Sequence, residues 1–264
     1  MQIEIAICIN LRSLKQSDKE REMNTSFSNV YEDQTRAQAY ATLEFPGTYY
    51  LAFRDLPTII SEHVRGTKAF DFGCGAGRSS RFLHALGFEV VGADISENML
   101  ALARERDPQG GYFLLPEGRL EGFAAEYDLV LSAFTFDNIP MLEKKVALLR
   151  GLKDLLRPGG RIINLVSAAE IYFHEWTSFS TKDFPQNHAA RSGDKVFIVM
   201  LDVEDRRPVE DILCTHEDYL SAYARAGLRM IEIYKPLGKP DEIIPWVSET
   251  TIAPWSIYVL EREQ

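Results

Sequence analysis

The sequence predicts an α/β fold in which a mostly parallel sheet carries helices on both faces. Two observations lead to this prediction: short apolar runs alternate with helix-like patterns from residue 68 to residue 167, and a glycine-rich turn at 73–77 follows the first run. Consecutive strands joined by helices pair in parallel, because the helical crossover returns the chain to the same edge of the sheet. Ligands in such sheets bind beyond the carboxyl ends of the strands, and the functional residues are expected there.

The alternation assigns the elements in chain order. The first expected strands span residues 68–72, 89–93, 111–115, 128–132 and 160–167. The expected helices between them span 77–86, 97–106 and 142–156. A helix over 216–226, opened by the capping residue Thr215, and strands over 228–234 and 255–260 bring the number of strands in the sheet to seven.

Residues 168–214 interrupt the alternation. They begin with an irregular, aromatic-rich stretch and continue with strand-like runs near 195–202 and 210–214, so an antiparallel flap is expected. Its aromatic side chains indicate a roof over an apolar ligand.

One domain is therefore predicted over residues 26–264, with this cap insert at 168–214. Its first part, 26–65, is expected to form a helical lid of two helices that break at Pro46-Gly47. Residues 1–25 are expected to be a flexible N-terminal extension, with Met23 as a candidate start of the native protein.

The loop after the first strand has the features of a ligand site. Asp71 lies in the strand, and Gly73, Gly75 and Gly77 follow closely. Glycine is favoured where a turn needs positive φ or where a Cβ would keep a ligand away, and the N-terminus of the next helix presents free amides. The dinucleotide fingerprint G-x-G-x-x-G would place its third glycine at Arg78, so the spacing disfavours a dinucleotide-dependent oxidoreductase.

A second acid ends the next predicted strand. Asp94 follows Gly77 by 17 residues, which is the length of one helix plus a short strand. A carboxylate at that strand end can accept hydrogen bonds from both hydroxyls of a ribose. Ser96 is expected to cap the helix that follows.

These motifs resemble those of the class I S-adenosylmethionine-dependent methyltransferases that act on small molecules. Residues 71–77 are similar to the first motif of the family and Asp94 to the second. Residues 126–140 are similar to its fourth-strand motif, and residues 155–166 to the turn before its fifth strand. The resemblance implies a Rossmann-like sheet with an antiparallel last strand. It also implies S-adenosyl-L-methionine as cofactor and methyl transfer to an O, N or C atom of a small molecule.

The resemblance also implies the contacts of the cofactor. It places Asp71 near the amino group, the three glycines under the methionine and ribose parts, and Asp94 at the ribose. Cys74 lies in the loop, where packing is expected rather than reactivity. The expected cofactor-binding set is Tyr31, Tyr49, Arg54, Asp71, Gly73, Cys74, Gly75, Gly77, Asp94, Ile95, Met99, Glu117 and Ser132.

The sequence departs from the family pattern near the adenine. The family has an aspartate there, but no Asp occurs between Asp107 and Asp128, so Glu117 or a backbone amide near Leu115 is the expected partner of the adenine amino group.

The N-terminal helices supply three further candidates. Tyr31 resembles the lid tyrosine of small-molecule methyltransferases, and Tyr49 lies in a second aromatic stretch. Arg54 is expected to pair with the cofactor carboxylate. The alternative is that these side chains belong to the amphipathic core of the helices.

Methyl transfer from a sulfonium mainly requires alignment and the exclusion of water, and it needs a base only when the acceptor carries a proton. Asp137, at the exit of the fourth strand, is the first candidate base; the alternative is that it caps its own turn. His174 in the aromatic stretch is the second, ahead of His188, and His216 is expected in a helix first turn. No metal site is predicted, since Asp137-Asn138 has no third acidic neighbour.

The composition of the chain limits the classes of partner that the protein is expected to bind. The net charge is −10, and no Lys/Arg cluster provides the basic face that a nucleic-acid binder needs. No run is long and apolar enough to cross a membrane. Three widely spaced cysteines favour a reducing, cytoplasmic setting. We expect a small-molecule acceptor and no nucleic acid or membrane partner, with a homodimer left open. A non-catalytic binding module is the alternative function.

Overall fold

The computed structural model describes residues 33–263, and the predicted N-terminal extension and Tyr31 lie outside this range. The described part of the chain begins with three helices, α1 (Gln34–Ala41), α2 (Gly47–Arg54) and α3 (Leu56–His63). Two helices were expected here. The second divides at Asp55 because Pro57 has no backbone N–H for an interior helical hydrogen bond and is tolerated in a first turn.

The alternating part of the chain follows the predicted order. It comprises β1 (Lys68–Phe72), α4 (Arg78–Ala85), β2 (Glu89–Asp94), α5 (Glu97–Arg106), β3 (Gly111–Leu114), β4 (Tyr127–Ala133), α6 (Leu142–Leu155) and β5 (Leu156–Ser167). The insert contributes β6 (Phe179–Ser180), β7 (Lys195–Met200) and β8 (Val209–Ile212). The chain closes with α7 (His216–Arg225), β9 (Leu228–Tyr234) and β10 (Trp255–Arg262).

Seven strands form the main sheet in the order β3-β2-β1-β4-β5-β10-β9. The first five strands are parallel, and β10 runs antiparallel to both of its neighbours. The predicted fold, a mostly parallel seven-stranded sheet with an antiparallel last strand, is confirmed. In the insert, β6, β7 and β8 form a separate antiparallel sheet, as expected of the flap.

The start of β5 differs from the prediction of a turn before a strand at residue 160. Leu156 already pairs with Tyr127, and the register then shifts so that Leu129 pairs with Arg161. Leu156 is buried, and Gly159 takes a φ of +84° within the extra length. The Pro-Gly-Gly sequence therefore forms an irregularity inside the strand, which allows Leu156 to remain in the core.

The core lies on both faces of the main sheet because successive strand residues point to opposite sides. On one face, Ala69 and Leu129 pack with apolar residues of α2, α3 and the insert. On the other face, Phe70 and Val130 pack with α6 and α7. Helices α2 and α3 thus belong to the core, while α1 lies over the glycine loop, where Ala37 packs in one small cluster with loop and α5 residues. Within residues 33–263, no helix has the length and apolar character that crossing a bilayer requires.

Candidate active site

A cavity of about 760 Å³ lies at the carboxyl ends of β1, β2, β4 and β5. This volume is in the range of about 300–1,000 Å³ that is typical of small-ligand sites. Phe72, Asp94, Ala133 and Ser167 line it from the strand ends, and the insert covers it with apolar side chains of β7 and β8. The cavity therefore lies at the edge of the sheet where a ligand was expected, with the insert as its roof.

The side of the cavity next to the glycine loop is called the loop half, and it is lined by Gly73, Gly75, Asp94, Ile95 and Met99. Gly73 and Gly75 have φ values of +71° and +53°, which side chains rarely adopt. A Cβ on Gly73 would overlap the side chain of Thr135, and one on Gly75 would come within 3.1 Å of the Met99 methyl group.

The third glycine has a different environment. Gly77 has a φ of +79°, and a Cβ there would lie 2.7 Å from the hydroxyl of Tyr112, outside the cavity. Cys74 is buried with Leu100 and Tyr112, and burial raises the pKa of its thiol well above the usual range. Gly77 and Cys74 thus shape the loop by packing.

Asp94 ends β2 at the cavity wall. One carboxylate oxygen accepts a hydrogen bond from the Gly75 amide at 2.9 Å and the other from the Ser96 amide at 2.8 Å. Burial raises the pKa of this carboxyl, although these amides oppose the shift. Each oxygen keeps a second lone pair, so Asp94 can hold the loop and still accept two hydroxyl hydrogen bonds from a ligand.

Asp71 lies beneath the loop and outside the cavity. Its Oδ2 accepts hydrogen bonds from the hydroxyls of Ser79, at 2.7 Å, and Ser80, at 2.6 Å, in the first turn of α4. Burial raises its pKa to about 6. These bonds fix the loop to α4, and the contact between Asp71 and the cofactor amino group stays a prediction. Ser132 is likewise buried inside β4 and does not line the cavity.

The residues expected at the adenine are only partly described. Leu115 and Gly118 line the loop half next to Ile95, and Pro116–Gly118 form a 3-10 turn. The side chain of Glu117 lies outside the described atoms.

Arg54 is turned away from the cavity, which corrects its predicted role. Its guanidinium forms two hydrogen bonds to Asp55, at 2.7 and 2.8 Å, and one to Glu242 at 2.9 Å. The bonds to Asp55, followed by the one to Glu242, raise the pKa of the guanidinium further. A surface network therefore already neutralises Arg54.

Arg78, which sequence reasoning did not consider as a ligand, lies beside the loop. Its guanidinium carbon is 5.0 Å from the ring centre of Tyr49 and 5.4 Å from that of Phe53, and it shares a small recess with Gly73 and Gly75. It donates to the Glu44 carbonyl at 2.9 Å, but none of the carboxylate side chains that the structure describes forms an ion pair with it. A cation directly after the third glycine was the available signal.

The opposite side of the cavity is called the roof half, and it is lined by Tyr49, Phe134, Asp137, Asp211 and Trp255. The ring centre of Tyr49 lies 5.7 Å from that of Phe134 and 5.8 Å from that of Trp255. Burial raises the pKa of Tyr49 well above its usual range, so its hydroxyl stays uncharged. Tyr49 was expected at the site, and its ring is part of an aromatic wall.

Asp137 lies in a 3-10 turn, Thr135–Asn138, directly after β4. Its Oδ2 accepts hydrogen bonds from the Ser167 hydroxyl, at 2.9 Å, and the Ser167 amide, at 3.1 Å. The carboxylate therefore holds the end of β5 rather than capping its own turn. It lines the cavity, as a base next to the strand exit would.

Asp211, on β8 of the insert, is the second buried acid of the roof half and was missed by the sequence analysis. Its Oδ1 accepts a hydrogen bond from the Asn138 amide at 2.6 Å, and its Oδ2 accepts one from the Tyr172 hydroxyl at 3.1 Å. The bond to Asn138 ties the insert to the turn that carries Asp137. A lone acid in a strand gave no sequence signal that it would face the cavity.

One buried cation lies near these acids. The amine of Lys145 on α6 donates to the Phe136 carbonyl and lies 5.6 Å from the ring centre of Tyr219. Burial lowers the pKa of Lys145, and the charges of Asp137 and Asp211 act in the opposite direction. Burial raises the pKa of Asp137 to about 6 and that of Asp211 to about 7, with the charge of Asp137 as the second cause for Asp211.

The structure does not bring the candidate histidines to the cavity. The ring of His174 packs edge-on against Trp176, and His188 is exposed and stacks on Phe173. His216 stacks on Tyr258 in the first turn of α7, with 2.9 Å between its Nδ1 and the tyrosine hydroxyl, as the structural alternative expected. Asp137 is thus the sole member of the predicted catalytic pair at the site.

Comparison with known proteins shows which family and which relatives the chain resembles. Residues 70–164 match the methyltransferase-domain family. The ubiquinone biosynthesis O-methyltransferase of Ruegeria pomeroyi is 29% identical over 167 residues, which cover 54% of this chain and 64% of that protein. The demethylmenaquinone methyltransferase of Bacillus subtilis is 26% identical over 160 residues, covering 57% and 65%. The chain therefore matches slightly less than two-thirds of the length of these relatives.

Solved structures share the fold. The CcbJ methyltransferase of Streptomyces caelestis superposes with a TM-score of 0.58 at 16% identity, covering 83% of this chain and 100% of that one. An S-adenosylmethionine-dependent methyltransferase of Clostridium acetobutylicum superposes with a TM-score of 0.57 at 12% identity, covering 90% and 98%. The family match and the order of the motifs identify residues 70–164 as a methyltransferase domain, and the sheet has the fold of the class I S-adenosylmethionine-dependent methyltransferases.

Proposed function

We propose that this protein is an enzyme that transfers the methyl group of S-adenosylmethionine to an O, N or C atom of a small-molecule acceptor held under the insert. One observation carries the proposal: a single cavity joins the glycine loop and Asp94 to an aromatic roof that contains Asp137. A module that only binds the cofactor has no need for the roof half of this cavity.

The loop half fits the cofactor. Gly75 leaves the space that a Cβ would fill, and Asp94 has acceptor capacity for ribose hydroxyls. Ile95 and Met99 offer apolar surface for the adenine. Arg78 would hold the carboxylate of the methionine part, because its charge lies beside the loop without an ion-pair partner among the described residues.

When bound, S-adenosylmethionine supplies a methyl group that a positively charged sulfur has already activated. The protein therefore has to position the acceptor and exclude water. Tyr49, Phe134 and Trp255 form an apolar wall that orients the acceptor, and the insert closes the cavity above it. Asp137 receives the proton of the acceptor where the nucleophile carries one.

The names of the relatives favour a small acceptor. Two of them are named for steps on quinones, ubiquinone and demethylmenaquinone. The volume of the cavity and the net charge of −10 agree with a small molecule and not with a nucleic acid. Whether the enzyme works as a homodimer in the cytoplasm stays a separate expectation.

The first experiment combines binding and turnover. Calorimetry with S-adenosylmethionine should give one site per chain. Incubation with the cofactor and a panel of hydroxylated, aminated and carbon-nucleophile aromatic compounds should release S-adenosylhomocysteine only when an acceptor is present. Binding without any release, also with a total metabolite extract, would favour the non-catalytic module instead.

A further inference from the structure

The roof half contains two acids that come from different parts of the fold. Asp137 follows β4 of the main sheet, and Asp211 comes from the insert. The side chain of Asn138, the neighbour of Asp137, donates a hydrogen bond to Asp211. Asp137 is 5% exposed and Asp211 is 8% exposed, and both line the cavity. Burial, and after it the charge of Asp137, raise the pKa of Asp211.

Hydrogen bonds from the protein fix both acids in position but do not occupy all of their acceptor positions. Asp211 takes one donor on each oxygen, from Asn138 and Tyr172, and Asp137 takes donors from the amide and hydroxyl of Ser167. Because a carboxylate offers about four acceptor positions, each acid retains lone pairs. Donors from the protein therefore orient the two carboxyls while leaving capacity for a ligand in the cavity.

The rest of the cavity wall offers these acids little positive charge. Lys144 is the one basic residue among the described residues that line the cavity, and it is exposed on α6 beside Ala147 and Leu148. The buried Lys145 amine already donates to the Phe136 carbonyl. An acceptor with a carboxylate or phosphate at this end would therefore face like charge.

We infer that Asp137 and Asp211 act as one carboxyl pair that selects an acceptor whose nucleophilic atom carries a proton, an O–H or N–H group on an uncharged or cationic aromatic molecule. This inference rests on the proposed methyltransferase function and specifies its acceptor. Asp211 contacts the acceptor from the insert, and Asp137 contacts it from the main sheet. Aromatic side chains of the roof half pack against the ring, and they also favour a cationic group.

The chemistry of the pair balances without another reactant. The acceptor's proton passes to the ionised carboxylate as the nucleophile's lone pair forms the bond to the methyl carbon. The electron pair of the broken sulfur–carbon bond stays on sulfur, which becomes neutral. A protonated second carboxyl donates a hydrogen bond to the acceptor during this step. Two neighbouring buried acids favour such a shared proton because they resist double ionisation.

Three probes with the same ring test the inference: 2-naphthylmethylamine, which is a cation at neutral pH, 2-naphthol and 2-naphthoate. Each is titrated into the full chain saturated with S-adenosylhomocysteine, and the dissociation constant is measured. We expect the amine and the naphthol to bind at least about tenfold more tightly than the naphthoate, a difference of about 1.4 kcal/mol. In Asp211→Asn the amine should lose about tenfold in affinity, so that its advantage over naphthoate disappears.

The matched control is Glu210→Gln, the neighbouring acid on β8. Glu210 pairs with Lys195 at 2.8 Å and does not line the cavity, so this variant should keep the wild-type preference. Thermal unfolding and S-adenosylhomocysteine affinity establish that Asp211→Asn is folded. If it is not, Asp137→Asn is titrated with the same probes and should show the same loss of preference.

Two outcomes overturn the inference: equal affinity of the wild type for the three probes, or an unchanged preference in the folded aspartate variants. Failure of the proposed function has a different signature. In that case the probe preference would appear as expected, while no compound of the turnover panel would release S-adenosylhomocysteine. If compounds of the panel are methylated but the folded aspartate variants keep the wild-type probe preference, the proposed function is supported. In that case the carboxyl pair does not select the acceptor.

Discussion

The loop half of the cavity is held largely by main-chain atoms, whereas the roof half is held by side chains from distant parts of the chain. In the loop half, the Gly73 amide donates to the Ala93 carbonyl at 2.7 Å, and the Gly75 amide donates to Asp94, only 19 residues away. Beside Tyr49 of the roof half in the chain, Thr48 donates to Glu249 across 201 residues of sequence. Trp255 donates to the Thr48 carbonyl across 207 residues.

This difference assigns different tasks to the two halves. A site built from backbone in a tight loop offers one fixed shape, which suits a ligand that is always the same. A site built from side chains of an insert, an N-terminal helix and a C-terminal loop can change its shape by substitution without disturbing the sheet. The loop half is thus suited to the cofactor and the roof half to the choice of acceptor.

The largest effect is expected where the backbone geometry of the loop half is broken. In Gly75→Val the side chain would have to adopt a φ of +53° and would project towards Met99 and the cavity. We expect the affinity for S-adenosylmethionine, measured by calorimetry, to fall by at least about 100-fold, because both backbone strain and steric blocking oppose binding.

A matched variant separates strain from blocking. Gly193 has a φ of +92° and open space around its Cβ position, so Gly193→Val strains the backbone in the insert without filling a cavity. It should lower thermal stability and leave cofactor affinity unchanged. Normal cofactor binding by a folded Gly75→Val protein would mean that the loop is only a turn.

The next effect concerns the roof half and leaves the loop half untouched. Asp137→Asn keeps a hydrogen-bond acceptor for the end of β5 at Ser167 but removes the base. We expect turnover to fall by about 10²-fold or more while cofactor affinity stays constant. Turnover would be measured as S-adenosylhomocysteine release, with an acceptor identified from the panel. Full activity in this variant would leave Asp137 with only its structural bonds to Ser167.

The contrast also explains what the sequence could predict. Alternating strands, the glycine spacing and Asp94 are local patterns, and each depends on contacts within one strand–helix unit; the fold and most of the loop half follow from them. Asp211 belongs to an insert strand whose position depends on Asn138 and Tyr172. The sequence therefore could not predict that Asp211 lines the cavity. His174 failed for the same reason, since aromatic surroundings do not specify which way a ring faces.

Arg54 and Arg78 show how a local pattern can mislead. Arg54 was expected to pair with the cofactor carboxylate because it lies in the N-terminal helices that frame the strand ends, but the adjacent Asp55 and the distant Glu242 already engage it. Arg78 was considered only as a departure from a glycine pattern. Its position beside Gly73 depends on the folded shape of the recess, which the glycine pattern does not specify.

The third prediction compares these two arginines and expects a change of about tenfold in the affinity for S-adenosylhomocysteine. Arg78→Gln should weaken S-adenosylhomocysteine binding by about tenfold or more, since hydrogen bonds to charged groups contribute roughly 1.5–3 kcal/mol. Arg54→Gln should leave that affinity unchanged and lower only thermal stability. Methylthioadenosine, which lacks the amino-acid carboxylate, should bind wild type and Arg78→Gln equally well. An equal loss for both ligands would mean that Arg78 only supports the aromatic residues around it.

The smallest effect is a pH dependence of stability that arises from the roof half. Burial raises the pKa of Asp211 to about 7 and that of Asp137 to about 6, whereas an aspartate in the unfolded chain titrates near 3.9. Between about pH 4 and 7 the folded protein therefore binds more protons than the unfolded chain, so these two groups make it more stable as the pH falls.

The comparison of wild type with Asp211→Asn removes the Asp211 contribution together with its effect on Asp137, while Lys145, Tyr172, Tyr219 and Cys214 are present in both. The amide cannot ionise, so the variant should gain stability relative to wild type, on the order of 2 kcal/mol, as the pH rises from 5 to 8. Denaturant unfolding at pH 5, 6.5 and 8 measures the difference. If it stays constant over this range, the Asp211 carboxyl ionises as in water, and the roof half holds it with less desolvation than its 8% exposure indicates.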